Sequence, residues 1–347
     1  MMILLLSTVL AYEGCMRRDH PHDNPPIVIT PLPSKSIDPH EIPISWDWRN
    51  VSGVNYVTSN LNQHIPRYCG SCWLHAGIAT LNDRLKIARG ARWPEVTLAR
   101  QVLLNCGAKE AGSCAGGSDY GVYVFAYRYG IPDDSCQPYS AQEYSCSAFR
   151  NCMNCDPAFG DDPQKCYAVQ RYGRYFVSEY GRMRNPSVAD LQAEIWKRGP
   201  VSCSVDASAL EYANYRAGDI INVTLTSANK ITWEPDHDVS VVGWDRRGEE
   251  LYWIVRNSWG SYWGDQGWFY VQAGVNSMGI EDVCNWAVID PDPRFEDWGP
   301  GDTQHVFASA AEPPLNASLA KSVIPRFYNH RRKRAVSPED VHFSIPV

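Results

Sequence analysis

The chain has 347 residues, 44% of them hydrophobic, and a formal net charge of −7. That is enough apolar material for a sizeable core, in one two-lobed domain or two ordinary ones. The negative balance, with no long basic stripe, argues against a nucleic-acid partner, because nothing gathers phosphates. Twelve cysteines, most of them between residues 69 and 166, exceed what a reduced cytosolic enzyme usually carries and point to an oxidising compartment.

From Ile3 to Leu10 the chain is mostly apolar, and Ala11 and Gly14 follow. Residues 1–14 therefore read as a short signal peptide, although no Lys or Arg precedes the apolar run. No other run approaches the roughly 18 apolar residues of a membrane span, so a soluble mature protein is expected. Residues 15–41 are rich in Pro, His and Asp and read as a short extended prosegment carrying one cysteine, Cys15. Asn50, Asn222 and Asn316 each open an Asn-x-Ser/Thr glycosylation acceptor.

The densest chemical signal is Asn62-Gln63-His64-Ile65-Pro66-Arg67-Tyr68-Cys69-Gly70-Ser71-Cys72-Trp73. After it Leu74, Ile78, Leu81, Leu85 and Ala88 recur at helical spacing, with Asp83, Arg84, Lys86 and Arg89 off that stripe and Gly90 as the stop. Cys72 is thus expected at a helix start, where unpaired N–H groups and the macrodipole favour a thiolate. A neighbouring imidazolium lowers such a pKa further, to about 3 to 4.

Val96–Leu104 reads as a second helix, and Cys114-Ala115-Gly116-Gly117 follows. The glycine pair is either a plain turn or a place where a missing Cβ admits a substrate backbone. Residues 133–166, with Cys136, Cys146, Cys152, Cys155 and Cys166, read as a loop stapled by disulfides. Beyond Ala168, Val201–Val205, Asp238–Trp244, Leu251–Arg256 and Gly267–Val271 read as strands of an antiparallel barrel lobe. Ser187–Arg198 reads as a helix stopped by Gly199-Pro200. Residues 292–347 carry no sustained apolar pattern and read as a disordered extension, with Arg331-Arg332-Lys333-Arg334 an accessible site for a protease of basic runs.

A thiolate nucleophile needs a base, a group to orient the base, and donors for the oxyanion. Away from the 62–68 segment, His75 and His237 are the histidines of the core. His75 lies on the nucleophile's own helix and reads as packed or exposed, whereas His237 opens a strand that can face the helix N-terminus across a cleft. Asn257 follows the next strand and leads into Ser258-Trp259-Gly260.

Cys69-Gly-Ser-Cys72-Trp with Gln63 upstream, and Asn257-Ser-Trp-Gly downstream, resemble the active-site segments of papain-like cysteine proteases over roughly residues 42–291. Gln63 lies nine positions before Cys72, three more than in most of that family. This insertion, with Trp46-Asp-Trp-Arg-Asn50, is similar to the cathepsin X (cathepsin Z) branch, which consists of lysosomal carboxypeptidases. The resemblance implies an α+β, two-lobed papain-like fold, with a helical lobe (about 55–167) packed on an antiparallel β-barrel lobe (about 168–291) and the cleft between them. It implies Cys72 as nucleophile, His237 as acid and base, Asn257 as orienter, and Gln63 with the Cys72 N–H as oxyanion hole, with Trp259 shielding the Asn257–His237 bond and Gly116 and Gly117 along the substrate.

The resemblance also implies the pairs Cys69–Cys114, Cys106–Cys146, Cys136–Cys152, Cys155–Cys166 and Cys203–Cys284, and a zymogen latch Cys15–Cys72. His64 is expected to read a substrate's terminal carboxylate, charged at acidic pH with a pKa near 6.5. Peptides with a free C-terminus are the expected substrates of a monomer in the lysosome or outside the cell, without cofactor or metal. Competing readings are a papain-like endopeptidase or dipeptidyl peptidase, a thiol-disulfide oxidoreductase built on Cys69-x-x-Cys72, a zinc site begun by Cys152-x-x-Cys155, and a binding protein that has lost catalysis.

Overall fold

The computed structural model describes residues 14–16, 24–155, 166–208, 210, 215–223 and 234–297. Most of the segment read as a signal peptide, Asn316, and the tail from residue 298 with its basic run lie outside these.

The first half of the chain builds helices. After the short strand β1 (Trp46–Asp47) come α1 (Cys72–Ala88) and α2 (Arg100–Cys106). A two-stranded ribbon β2 (Gly112–Ser113) and β3 (Gly116–Gly117) leads into α3 (Asp119–Tyr129). β4 (Ile131–Pro132) precedes the stapled loop, which holds the single turn α4 (Ala148–Asn151) and leads through a hairpin of β5 (Met153–Cys155) with β6 (Cys166–Ala168). Trp73, Leu74, Ile78, Leu81, Leu103, Tyr123 and Phe125 form the core of this half.

The second half builds a sheet. Its elements are β7 (Arg171–Tyr175), β8 (Val177–Arg184), α5 (Val188–Arg198), β9 (Val201–Val205), β10 (Ile220–Ile221), β11 (His237–Arg247), β12 (Glu250–Arg256), β13 (Trp268–Gln272), β14 (Val283–Ile289) and β15 (Arg294–Asp297). The large sheet runs β10-β13-β12-β11-β9-β14-β8, with β1 added on β11, and every pairing is antiparallel except β10 with β13. No pairing joins its two ends among the described residues, so the lobe is an open sheet and not the closed barrel expected from the sequence. Val201, Val239, Val241, Trp244, Trp253, Val255, Phe269 and Trp286 make its core.

α5 starts where the local chemistry demands. The Ser187 hydroxyl accepts from the Asp190 N–H and the Asp190 carboxylate takes the Ser187 N–H, a reciprocal box that satisfies two orphan donors. α1 departs from its amphipathic reading: Asp83 and Arg84, expected off the apolar stripe, are 0% and 3% exposed. Asp83 pairs with Arg256 at 3.0 Å and Arg84 with Glu194 at 3.0 Å, while Arg84 also donates to the Pro200, Gly199 and Ala287 carbonyls. The helix is therefore buried on nearly all sides, and its charges serve the contact between the two halves.

Residues 24–42 run along the outside of the sheet. Ile27 exchanges two backbone bonds with Tyr180, and the Glu179 carboxylate accepts from Ile29 N, Thr30 N and Thr30 Oγ1. Two short 3₁₀ turns, Pro33–Lys35 and Pro39–Glu41, interrupt the extended course read from the sequence. Asn50 and Asn222 are both exposed.

Candidate active site

Cys72 is the first residue of α1 and is fully buried. Its sulfur is bonded to Cys15, which covers it. The backbone that follows Cys15 is pinned: Gly117 N donates to the Cys15 carbonyl and Met16 N to the Asp236 carbonyl, each at 3.1 Å. The other cysteines pair as Cys69–Cys114, Cys106–Cys146, Cys136–Cys152, Cys155–Cys166 and Cys203–Cys284, the last linking residues that face each other on β9 and β14. Cys69 and Cys72 are thus not bonded to each other, as an oxidised Cys-x-x-Cys couple would be, and Cys152 and Cys155 are taken up separately.

β11 and β12 are antiparallel neighbours with Ser240 opposite Arg256. The start of one and the end of the other therefore lie at the same edge of the sheet, and this brings His237 to Asn257. His237 Nε2 donates to Asn257 Oδ1 at 2.9 Å, which fixes the tautomer and leaves Nδ1 facing the sulfurs, 3.3 Å from Cys15 Sγ. The two sulfurs and the imidazole lie within 4.8 Å of one another. Trp259 lies against the imidazole at a centroid distance of 5.3 Å. The Asp238 N–H donates to Cys72 Sγ at 3.3 Å.

Burial holds the His237 imidazole neutral, its pKa lowered to about 4; the bond to Asn257 opposes this and the His64 charge adds to it. Next to it Asp238 is buried beside Asp119, and desolvation raises its carboxyl well above the usual range. Asp238 Oδ1 accepts from the Ser204 hydroxyl at 2.7 Å.

Gln63 is 1% exposed and locked in place: Ser258 Oγ donates to its Oε1 at 2.6 Å, and its Nε2 donates to the Cys69 carbonyl at 3.2 Å. Tyr139 Oη donates to the Gln63 carbonyl at 2.7 Å and meets Ser71 Oγ at 2.8 Å. Ser71 in turn accepts at its carbonyl from His75 Nδ1, 2.9 Å away. His75 is buried, its pKa lowered to about 3 by desolvation and then by Arg100. Neither Tyr139 nor Ser258 carries a sequence signal for this task, since they stand 76 and 195 residues from Gln63.

His64 is half-buried on the 62–68 loop and stacks on Tyr68 at 4.7 Å and 8°. Its Nδ1 is buried without a hydrogen-bond partner. Desolvation lowers its pKa below the ordinary value, a correction to the unperturbed titration expected from the sequence. Packing alone requires glycine at 117: a Cβ there would strike the Ala111 carbonyl and come within 2.7 Å of the Trp73 indole.

The profile of the papain family of cysteine proteases matches residues 42–288. The chain belongs to that family. It is 36% identical to cathepsin Z of Onchocerca volvulus over 71% of this chain and 78% of that one. Against a cathepsin B-like cysteine proteinase of Ostertagia ostertagi it is 29% identical over 70% and 72%. Among solved structures, one of the mite allergens compared for antibody cross-reactivity, Blo t 1 and Der p 1, superposes with a TM-score of 0.59 at 25% identity, covering 75% of this chain and 74% of that one. The larval-midgut procathepsin L2 proteinase of Tenebrio molitor gives 0.55 at 26% identity, covering 73% and 69%. The protein is therefore a papain-family cysteine peptidase, α+β in fold, and no helix among its described residues is long and apolar enough to cross a membrane.

Proposed function

We propose that this peptidase is a carboxypeptidase, made as a zymogen silenced by the Cys15–Cys72 bond and acting as a monomer in the lysosome or outside the cell. Once Cys72 is free, its thiol passes a proton to the neutral His237 at Nδ1, and the resulting thiolate attacks the carbonyl carbon of the last peptide bond. Gln63 Nε2–H and the Cys72 N–H stabilise the oxyanion, and protonated His237 gives its Nδ1 proton to the leaving amino acid. A water activated by His237 then hydrolyses the thioester. Asn257 keeps the imidazole aimed, and Trp259 keeps water from the Asn257–His237 bond.

One observation carries the exopeptidase reading. The only side chain of the inserted loop with a buried, unpartnered ring nitrogen is His64, and its charge is felt at His237. A terminal carboxylate beside it supplies the missing partner as a charge-assisted bond. His64→Ala should lower kcat/KM on free-carboxylate peptides by about 10- to 100-fold, the worth of one hydrogen bond to a charged group, and leave C-terminally amidated peptides nearly unchanged. Equal loss on both substrates, or cleavage inside a long peptide at the same rate as at its end, decides for an endopeptidase.

A further inference from the structure

The atoms of the latch have a second use when the disulfide is reduced. Cys15 Sγ, Cys72 Sγ and the His237 imidazole lie within 4.8 Å of one another, and all three residues are buried. Cys15 is also held by bonds that do not involve its sulfur, from Gly117 N to its carbonyl and from Met16 N to the Asp236 carbonyl, and reduction does not touch these. Two sulfurs and one imidazole form the Cys₂His donor set of zinc, which binds sulfur at about 2.3 Å and so needs the sulfurs roughly 3.8 Å apart. The Cα atoms of Cys15 and Cys72 stand 5.7 Å apart, so rotation about their side-chain bonds can open that separation once the disulfide is broken.

The surroundings match the demands of such a site. His237 donates its Nε2–H to Asn257 Oδ1, so its Nδ1 lone pair faces the sulfurs, the arrangement by which an outer carbonyl orients a metal-bound histidine. The Asp238 N–H donates to Cys72 Sγ and supports negative charge there. Two thiolates and one divalent cation sum to zero, which makes burial of the group tolerable where an isolated ion would not be.

We propose that, in the reduced proenzyme, Cys15, Cys72 and His237 bind one zinc ion that keeps the prosegment in the cleft after the covalent latch is gone. Reduction by a trialkylphosphine and water gives the phosphine oxide and two thiols. Zinc then forms two Zn–S bonds and one Zn–N bond and releases the two thiol protons. The proposal is independent of whether the enzyme is an exopeptidase.

The test uses full-length proenzyme, treated with phosphine until two thiols per chain react, and then titrated with zinc alone. One zinc per chain should bind, with loss of both reactive thiols. Cys15→Ser should abolish stoichiometric binding, and Asn257→Ala should weaken it by about 10- to 100-fold through loss of the outer partner. The oxidised parent, with the same sequence and no free thiolate, serves as the comparison that does not depend on a variant's folding. Equal zinc binding before and after reduction, equal binding by Cys15→Ser, or two thiols still fully reactive under excess zinc would each overturn the assignment.

Discussion

Two segments flank Cys72 and do so by different means. The Gly116–Gly117 strand offers backbone alone, and the chain's own Cys15 already uses it. The 62–68 loop is held by Asn62, bridged to Trp259, and by the locked Gln63, and it offers side chains: His64, with Ile65 and Tyr68 exposed. A backbone surface accepts any peptide, including a prosegment. A histidine with an open hydrogen-bond position is selective, so under the proposed function affinity would fall to one segment and discrimination to the other.

The sharpest way to break this contrast is to cut the covalent bond by which the occupant of the glycine strand covers Cys72. Full-length Cys15→Ser should react at Cys72 with a thiol reagent without reductant, whereas the parent should not react at all; mass spectrometry of the labelled peptide distinguishes them. Next in size is Gly117→Ala, whose added carbon meets the Ala111 carbonyl and Trp73. Overpacking of this kind costs about 1–3 kcal/mol, and kcat/KM should fall alike on free and amidated peptides, unlike the selective loss expected for His64→Ala. A uniform loss there and a selective one here separate the two roles.

A smaller effect concerns pH. His64 titrates below its ordinary value of 6.5 because it is partly desolvated, and a carboxylate bound there as proposed would pull it back up. KM for free-carboxylate peptides should therefore rise as pH rises from about 4 to 7, while KM for amidated ones stays level. The smallest effect is on stability. His75 and His237 have folded pKa values lowered to about 3 and about 4, so the unfolded chain binds more protons below about 6.5 and stability is lost as pH falls toward those values. Asp83 and Asp238, raised by burial, act in the opposite sense. The diagnostic is thus the difference in Tm between the latched parent and His75→Gln, which should shrink as pH drops from about 7 to 4.

What the sequence disclosed depended on how local the cause was. α5 was legible because Ser187, Asp190 and Gly199-Pro200 act within their own turns, and the strands from Val201 and Leu251 because β-rich runs end at turn residues. α3 escaped notice: Asp119–Tyr129 is buried over its first eight residues and shows no polar face to mark a period. β8 and β14 escaped for a related reason, since Gly181 interrupts one run to make room for Trp286 of the other. The open sheet could not be told from a barrel, because closure is a property of strand ends far apart in the chain. At the site, resemblance singled out Cys72, His237 and Asn257, which the fold brings together, whereas the hold of Tyr139 and Ser258 on Gln63 and the desolvation of His64 arise only when distant segments meet.

The pairs in the middle of α1 have a mechanical consequence. Asp83 stands eleven residues beyond Cys72, about 16 Å along the helix, and sliding the helix by one residue would turn each side chain by about 100°. Such a slip strips Asp83 from Arg256 and Arg84 from Glu194 together, and orphaning one buried partner alone costs about 3–5 kcal/mol. The sulfur is thus located from behind, as the tip of a keyed shaft, and Arg256 carries the same key directly to its neighbour Asn257. The inserted His64-Ile65-Pro66, beyond the locked Gln63, takes no part in these pairs. On the carboxypeptidase reading proposed above, the choice between trimming a peptide's end and cutting its middle would then belong to an interchangeable part.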